Sequence, residues 1–240
     1  MHDSVLRPVV FLDFDGTISR ADVVDAVLER YADRGWTAIE EAWRAGRIGS
    51  RECLRDRMAM VRATPAELDE LLESIGLDDG FAALIETCDA HGLAAHVISD
   101  GFDYCIRRIL NAAPARIQPS IARMQVCASH LEPAAASRWR VGFPHDPELC
   151  AHGCATCKPA VMKALNPTRG PSVFVGDGLS DRFAAHAADL VFAKHKLAAY
   201  CREQSLPHVP YTTLHDVARE VDRVLRSGGV RRTASIGMNR

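Results

Sequence analysis

At 240 residues, 48% hydrophobic and 25% charged, the chain is long enough for one substantial core plus a small accessory domain. A formal net charge of −2 lacks the basic footprint of a nucleic-acid binder, and no apolar stretch is long enough to span a membrane. Few residues precede the first strand, leaving no room for a signal peptide, so a cytoplasmic location with eight reduced cysteines is expected.

The first predicted element is the strand around Val9-Val10-Phe11-Leu12, which breaks into Asp13-Phe14-Asp15-Gly16-Thr17. Residues i and i+2 of a strand point to one side, so Asp13 and Asp15 both project beyond the sheet's C-terminal edge. Carboxylates that close raise one another's pKa or share a cation, and either outcome is chemically useful. An Asp-rich turn is the plain alternative.

Helical periodicity follows from Asp22 to Tyr31, and more helix comes after it. Ser50 is expected to cap a helix over 51–62, and Thr64-Pro65-Ala66-Glu67 reads as a capping box opening a helix to about Ile75. Another helix, from about Gly80 to His91, stops at Gly92 and feeds the strand through Val97, which ends in Ser99-Asp100-Gly101. Residues 20–85 are thus almost wholly helical and too long for one crossover, which predicts an inserted helical cap.

Downstream, a helix from about Phe102 to Leu110 precedes an irregular, strand-prone region over 121–143 and a Cys/His-rich loop at 150–157. Lys158 opens the next helix; the strand Ser172 to Val175 then breaks into Gly176-Asp177-Gly178-Leu179-Ser180-Asp181. A helix from Ser180, a short strand Leu190 to Ala193 and a final helix near 213–227 complete the pattern, and 228–240 reads as a disordered tail. This alternation predicts an α/β fold, a doubly wound parallel (Rossmann-like) sheet with a helical cap: core 1–19 and 86–227, cap 20–85.

Three predicted strands therefore end in polar groups where open parallel sheets build their sites. Lysine is scarce, with only Lys158, Lys163, Lys194 and Lys196, so a Lys just upstream of the Asp177 strand is a candidate phosphate partner, with a solvated helix-start residue as the plain alternative.

Asp13-x-Asp15-Gly16-Thr17, Ser99, Lys158 and Gly176-Asp177-Gly178-x-Ser180-Asp181, in this order, resemble the haloacid dehalogenase superfamily in its phosphatase branch. The resemblance implies Asp13 as nucleophile, Asp15 as general acid and base, and Ser99 and Lys158 on phosphate oxygens. It also implies Mg2+ bound by Asp13, the Asp15 carbonyl and Asp177, with Asp181 as ligand or neighbour. The expected partner is a small-molecule phosphate ester.

Within that superfamily, Asp22 and Arg57 sit where phosphoserine phosphatases carry substrate-holding residues; a helix cap and a solvated helix face are the plain readings of the two. Cys154-x-x-Cys157-Lys158-Pro159, Tyr200 to Gln204 and His208 to Tyr211 are more similar to the methionine-salvage 2-hydroxy-3-keto-5-methylthiopentenyl-1-phosphate phosphatases, the preferred neighbours. Ser99-Asp100-Gly101 departs from their Ser-Gly-Gly and is similar to phosphocholine and phosphoethanolamine phosphatases, unless Asp100 caps the next helix. Asp22, Arg57, Asp100 and Gly101 are thus the candidate substrate-binding residues. The non-enzyme alternative, an inactive binding module, conflicts with the presence of every acid the motifs require. Cys150-x-His152-x-Cys154-x-x-Cys157 is read as reduced thiols packing a loop, with zinc as the alternative.

Overall fold

The computed structural model of the protein describes residues 7–145, 150, 152–228 and 230. Its strands are β1 (Val9–Leu12), β2 (Ala94–Phe102), β3 (Val126–Ala135), β4 (Arg138–Gly142), β5 (Ser172–Gly176), β6 (Leu190–Ala193) and β7 (Val209–Pro210). They form one sheet in the order β4-β3-β2-β1-β5-β6-β7, parallel throughout except that β4 pairs antiparallel with β3. The chain passes from β1 to β2 on one side and later returns to β5 on the other. Strand order therefore reverses at β1, and the crevice beyond its C-terminal end is where such sheets bind ligands.

Strand β1 is apolar and buried along its whole length, as a central parallel strand must be when helices cover both faces. Val10 and Leu12 join a cluster with Phe81, Leu84 and Val217, whereas Val9 and Phe11 join Val161, Phe174 and Leu197 on the opposite face. Two helical layers thus sandwich the sheet, as the doubly wound pattern predicts. The first layer includes α5 (Phe81–His91) packed on α11 (Leu214–Arg226); the second includes α8 (Lys158–Leu165), α9 (Arg182–Ala187) and α10 (His195–Glu203).

Between β1 and α5 lie α1 (Val23–Tyr31), α2 (Trp36–Arg44), α3 (Ser50–Met58) and α4 (Pro65–Ser74). The capping box at Thr64 and Glu67 forms as predicted, and α5 ends at Gly92 in the left-handed conformation. Helix α3 departs from expectation. Ser50 is its first residue rather than its cap, and it stops at Met58, because the chain turns so that the Arg62 N–H can donate to the Tyr31 carbonyl. The expected helix from Ser180 is instead a 3-10 turn over Leu179–Asp181 followed by α9. After α6 (Asp103–Leu110), α7 (Gln118–Ile121) ends where the strand-prone region begins, and that region forms the β3–β4 hairpin. Of the tail at 228–240, only residues 228 and 230 are described. Among the described residues no helix is long and apolar enough to cross a membrane.

Candidate active site

Asp13 follows β1 directly and stays in register, its N–H donating to the Val175 carbonyl at 2.9 Å. That extension aims its carboxylate into the crevice, where it is 4% exposed. Lys158, at the N-terminus of α8 and 2% exposed, donates to Asp13 Oδ1 at 2.6 Å and to Asp181. Its plain reading as a solvated residue is overturned: the helix start is buried against the sheet edge. Burial alone would pull the ammonium's pKa down, but Asp13, Asp181 and Asp100 outweigh it and hold the group above its ordinary value.

Asp13, Asp177 and Asp181 present carboxylate oxygens that all lie within 4.8 Å of one another. Asp181 is anchored by the N–H groups of Asp177 and Gly178, at 3.0 and 3.1 Å, while the Thr17 hydroxyl donates to Asp177 at 3.4 Å. Burial and then repulsion from Asp181 raise the pKa of Asp13, and the same two causes raise Asp177. Hard oxygen donors crowded enough to resist ionisation suit a small divalent cation such as Mg2+.

Asp15 lies on the same side as Asp13, as the i,i+2 spacing predicts. Its carboxylate accepts from the Val23 N–H at 2.9 Å and from the Ser99 hydroxyl at 3.4 Å. Desolvation, reinforced by Asp22, pushes its pKa up to about 8, so it can hold a proton at neutral pH. The Ser99 Oγ in turn accepts from the Gly101 N–H at 3.0 Å. A side chain at 101 would collide with Asp15, which is why glycine stands there.

The candidate substrate residues line the same cleft, of about 580 Å³, but their partners differ from expectation. Asp22 does cap α1, accepting from the Asp25 N–H at 2.9 Å; desolvation and Asp25 push its pKa up to about 6. Arg57 is no solvated helix face. It is 6% exposed, pairs with Asp25, lies 3.9 Å from Glu40 and sits over the Trp36 ring. Asp100 does not cap α6, whose start has no side-chain cap. Instead its carboxylate takes the Thr156 N–H at 3.0 Å, and the neighbouring Ser50 hydroxyl, whose Oγ accepts from Trp43 Nε1, helps favour its charged form. Asp100 thus ties β2 to the cysteine loop.

Sequence reasoning quoted Thr17 only as part of the first motif and missed Asp25, Glu40, Trp43 and Thr156, and also His195, whose Nδ1 lies 3.5 Å from Asp177. Only Thr17, inside the first motif, carried a local signal.

These raised carboxyl pKa values have a measurable consequence for stability. A group that binds its proton more tightly folded than unfolded contributes stability at low pH and loses it as pH rises through the interval between the two values. For Asp22 and Asp15 those intervals end near 6 and 8. Chelator-treated protein should therefore melt several degrees lower at pH 8 than at pH 6, and Mg2+ should raise the melting temperature more at pH 8. Equal Mg2+ stabilisation at both values would refute this charge accounting.

A profile of haloacid dehalogenase-like hydrolases matches residues 10–186. Curated relatives named 2-hydroxy-3-keto-5-methylthiopentenyl-1-phosphate phosphatase include one from Geobacillus thermodenitrificans, 27% identical over 90% of this chain and 96% of its own length. Another, from Geobacillus kaustophilus, is 29% identical over 90% of this chain and 96% of its own. Among solved structures, a phospho-aspartyl intermediate analogue of phosphoserine phosphatase aligns with a TM-score of 0.69 at 18% identity, covering 90% of this chain and 99% of that one. That last likeness speaks to the fold alone. The profile, however, spans β1 through α9 and takes in every residue of the carboxylate and lysine cluster, so the chain belongs to the haloacid dehalogenase-like hydrolase family.

Proposed function

We propose that this hydrolase is a Mg2+-dependent phosphomonoesterase that cleaves a small phosphorylated metabolite through an aspartyl phosphate on Asp13. The chain is a phosphoric monoester hydrolase by family and by the names of its curated relatives. The observation that carries the mechanism is the convergence of Asp13, Asp177 and Asp181 on the buried Lys158 at the crevice where strand order reverses. Residues 20–85 act as a cap over a core of 1–19 and 86–227.

In the proposed reaction, Asp13 attacks phosphorus in line while Lys158 orients it and offsets the charge of the ester dianion. Ser99 and the Gly101 N–H are close enough to Asp15 to bind phosphate oxygens beside it. Protonated Asp15 donates to the leaving oxygen and then takes the proton of the water that releases phosphate from Asp13. Asp13, the Asp15 carbonyl and Asp177, with Asp181 beside them, would hold Mg2+, which would further neutralise the phosphate charge.

For the substrate, the methionine-salvage phosphate named for the relatives is favoured over phosphoserine. A carboxylate-binding arginine must have its charge free, yet Arg57 is already paired with Asp25 and flanked by Glu40. Val24, Trp43 and Leu54 give the cleft an apolar wall suited to an uncharged tail. A second reading rests on Asp22, which also lines the cleft and favours a cationic ester such as phosphocholine or phosphoethanolamine.

A panel with Mg2+ separates these readings. The salvage phosphate should show a kcat/KM about tenfold or more above phosphoserine and both amine esters, as one well-matched apolar contact allows. Asp22→Ala should alter the ranking more than the rate with a generic aryl phosphate. Phosphoserine as the best substrate would defeat the Arg57 argument, and turnover unaffected by EDTA would defeat the metal.

A further inference from the structure

Of the three clustered acids, Asp177 has the least firmly held side chain. Lys158 reaches Asp13 and Asp181, and two backbone N–H groups anchor the Asp181 carboxylate, but none of these contacts is made to the Asp177 carboxylate. The main chain at this point is fixed. The Asp177 carbonyl accepts from the Leu197 N–H at 2.8 Å, and the Gly176 carbonyl accepts from the Lys194 N–H at 3.2 Å. The carboxylate relies on longer contacts, with the Thr17 hydroxyl 3.4 Å from Oδ1 and His195 Nδ1 3.5 Å from Oδ2. The His195 side chain is 67% exposed, whereas Thr17 is wholly buried, so Thr17 is the more constrained neighbour.

A hydroxyl carries one proton. Thr17 serves Asp177 only while that proton points at Oδ1, and its direction depends on what occupies the oxygen's lone pairs. The Tyr211 hydroxyl lies 3.5 Å from Thr17 Oγ1 and 3.3 Å from the Gly176 carbonyl oxygen. A carbonyl only accepts, so Tyr211 is the donor, and two long contacts are what one proton shared between two acceptors produces. Burial, reinforced by Asp177, Asp181 and Asp13, holds the Tyr211 pKa above its ordinary value against the opposing Thr17 hydrogen bond. The hydroxyl therefore keeps its proton.

Strand β7 delivers the tyrosine to this place. Tyr211 directly follows β7, its N–H donating to the Ala193 carbonyl at 3.4 Å, and its ring is 7% exposed with Lys194 Nζ 5.0 Å from the ring centroid. The ring belongs to the hydrophobic cluster on that face of the sheet. A phenylalanine would fill the same space, so packing accounts for the ring and not for the hydroxyl.

We infer that Tyr211 is a positioning residue for Asp177, acting through the Thr17 hydroxyl. Its proton occupies a lone pair of Thr17 Oγ1, aims the Thr17 proton at Asp177 Oδ1 and strengthens that hydrogen bond by polarising it. The result is a charged, oriented carboxylate, which is the form that binds a divalent cation. The inference rests on the reading of Asp13, Asp177 and Asp181 as the residues that hold Mg2+.

Melting temperature, followed over a Mg2+ titration of the chelator-treated full-length protein, reads metal affinity without turnover. Tyr211→Phe should need about 10-fold more Mg2+ than the parent for the same rise, at the low end of the roughly 10- to 100-fold cost of losing a group behind a metal ligand. Thr17→Val should need at least as much. Adding Tyr211→Phe to Thr17→Val should then change the requirement by no more than about twofold, because the two hydroxyls act in series. Unchanged Mg2+ affinity in Tyr211→Phe, even with a lower melting temperature in chelator, would make the tyrosine a packing residue and overturn the inference. Effects that multiply in the double variant would overturn it too, since they would place Tyr211 and Thr17 on separate routes. A parent protein that Mg2+ does not stabilise defeats the metal reading itself, and the inference falls with it.

Discussion

Asp13→Asn is expected to abolish phosphatase turnover, by about 10,000-fold or more, as loss of a nucleophile does elsewhere, while the protein stays folded. Asparagine keeps the shape of the side chain and removes one of three crowded carboxylates. In chelator this relieves the repulsion that raises the Asp13 pKa, and Lys158 keeps Asp181 as a partner, so the melting temperature should not fall much. With Mg2+ the variant should gain less stability than the parent, because one of the three clustered donors has lost its charge. Asp15→Asn should behave differently, retaining Mg2+ stabilisation but losing the roughly 100- to 10,000-fold contribution of a general acid and base. Full activity in Asp13→Asn sinks the aspartyl-phosphate mechanism; a common loss of folding in both variants would make the pair structural.

The clustering of Asp13 and Asp177 was legible in the sequence because both residues interrupt hydrophobic runs. Asp13 and Asp177 each end a strand that would otherwise stay apolar, and the alternation of elements predicted that those strands share a sheet edge. The surroundings of Arg57 and Asp100 were not legible. Arg57 is neutralised by Asp25, 32 positions away, and Asp100 is fastened by Thr156, 56 positions away, so no local pattern marks either pair. Helix α10 lacked a signal for a different reason. It begins after Lys194 with no side-chain cap and at His195 with a φ of +47°, neither of which a capping rule anticipates. The β3–β4 hairpin was hidden by Pro133 within β3, which ordinarily argues against a strand but is tolerated here next to a register shift.

Lys158→Met should be the most destabilising single change in the site. The lysine is 2% exposed and pairs with Asp13 at 4% and Asp181 at 0%, so its loss strands acids without their buried cation. Removing one partner of such an arrangement costs about 3–5 kcal/mol. The cost should depend on pH. Toward pH 6 Asp13, whose pKa burial and its neighbours already raise, can take up a proton, and the penalty shrinks; toward pH 8 it does so less readily, and the penalty is full. Mg2+ at pH 8 should restore part of the stability but little turnover, since a cation shared among Asp13, Asp177 and Asp181 replaces the lost charge without orienting Asp13 from the α8 side. Lys158→Arg tests whether charge alone suffices. The guanidinium keeps the charge but overfills a closed site, a change that typically costs about 1–3 kcal/mol, so it should fold better than Lys158→Met at pH 8 and remain far less active than the parent. Chemical denaturation at the two pH values checks both variants, and a Lys158→Met penalty that does not vary with pH would show that the site is held by packing rather than by charge.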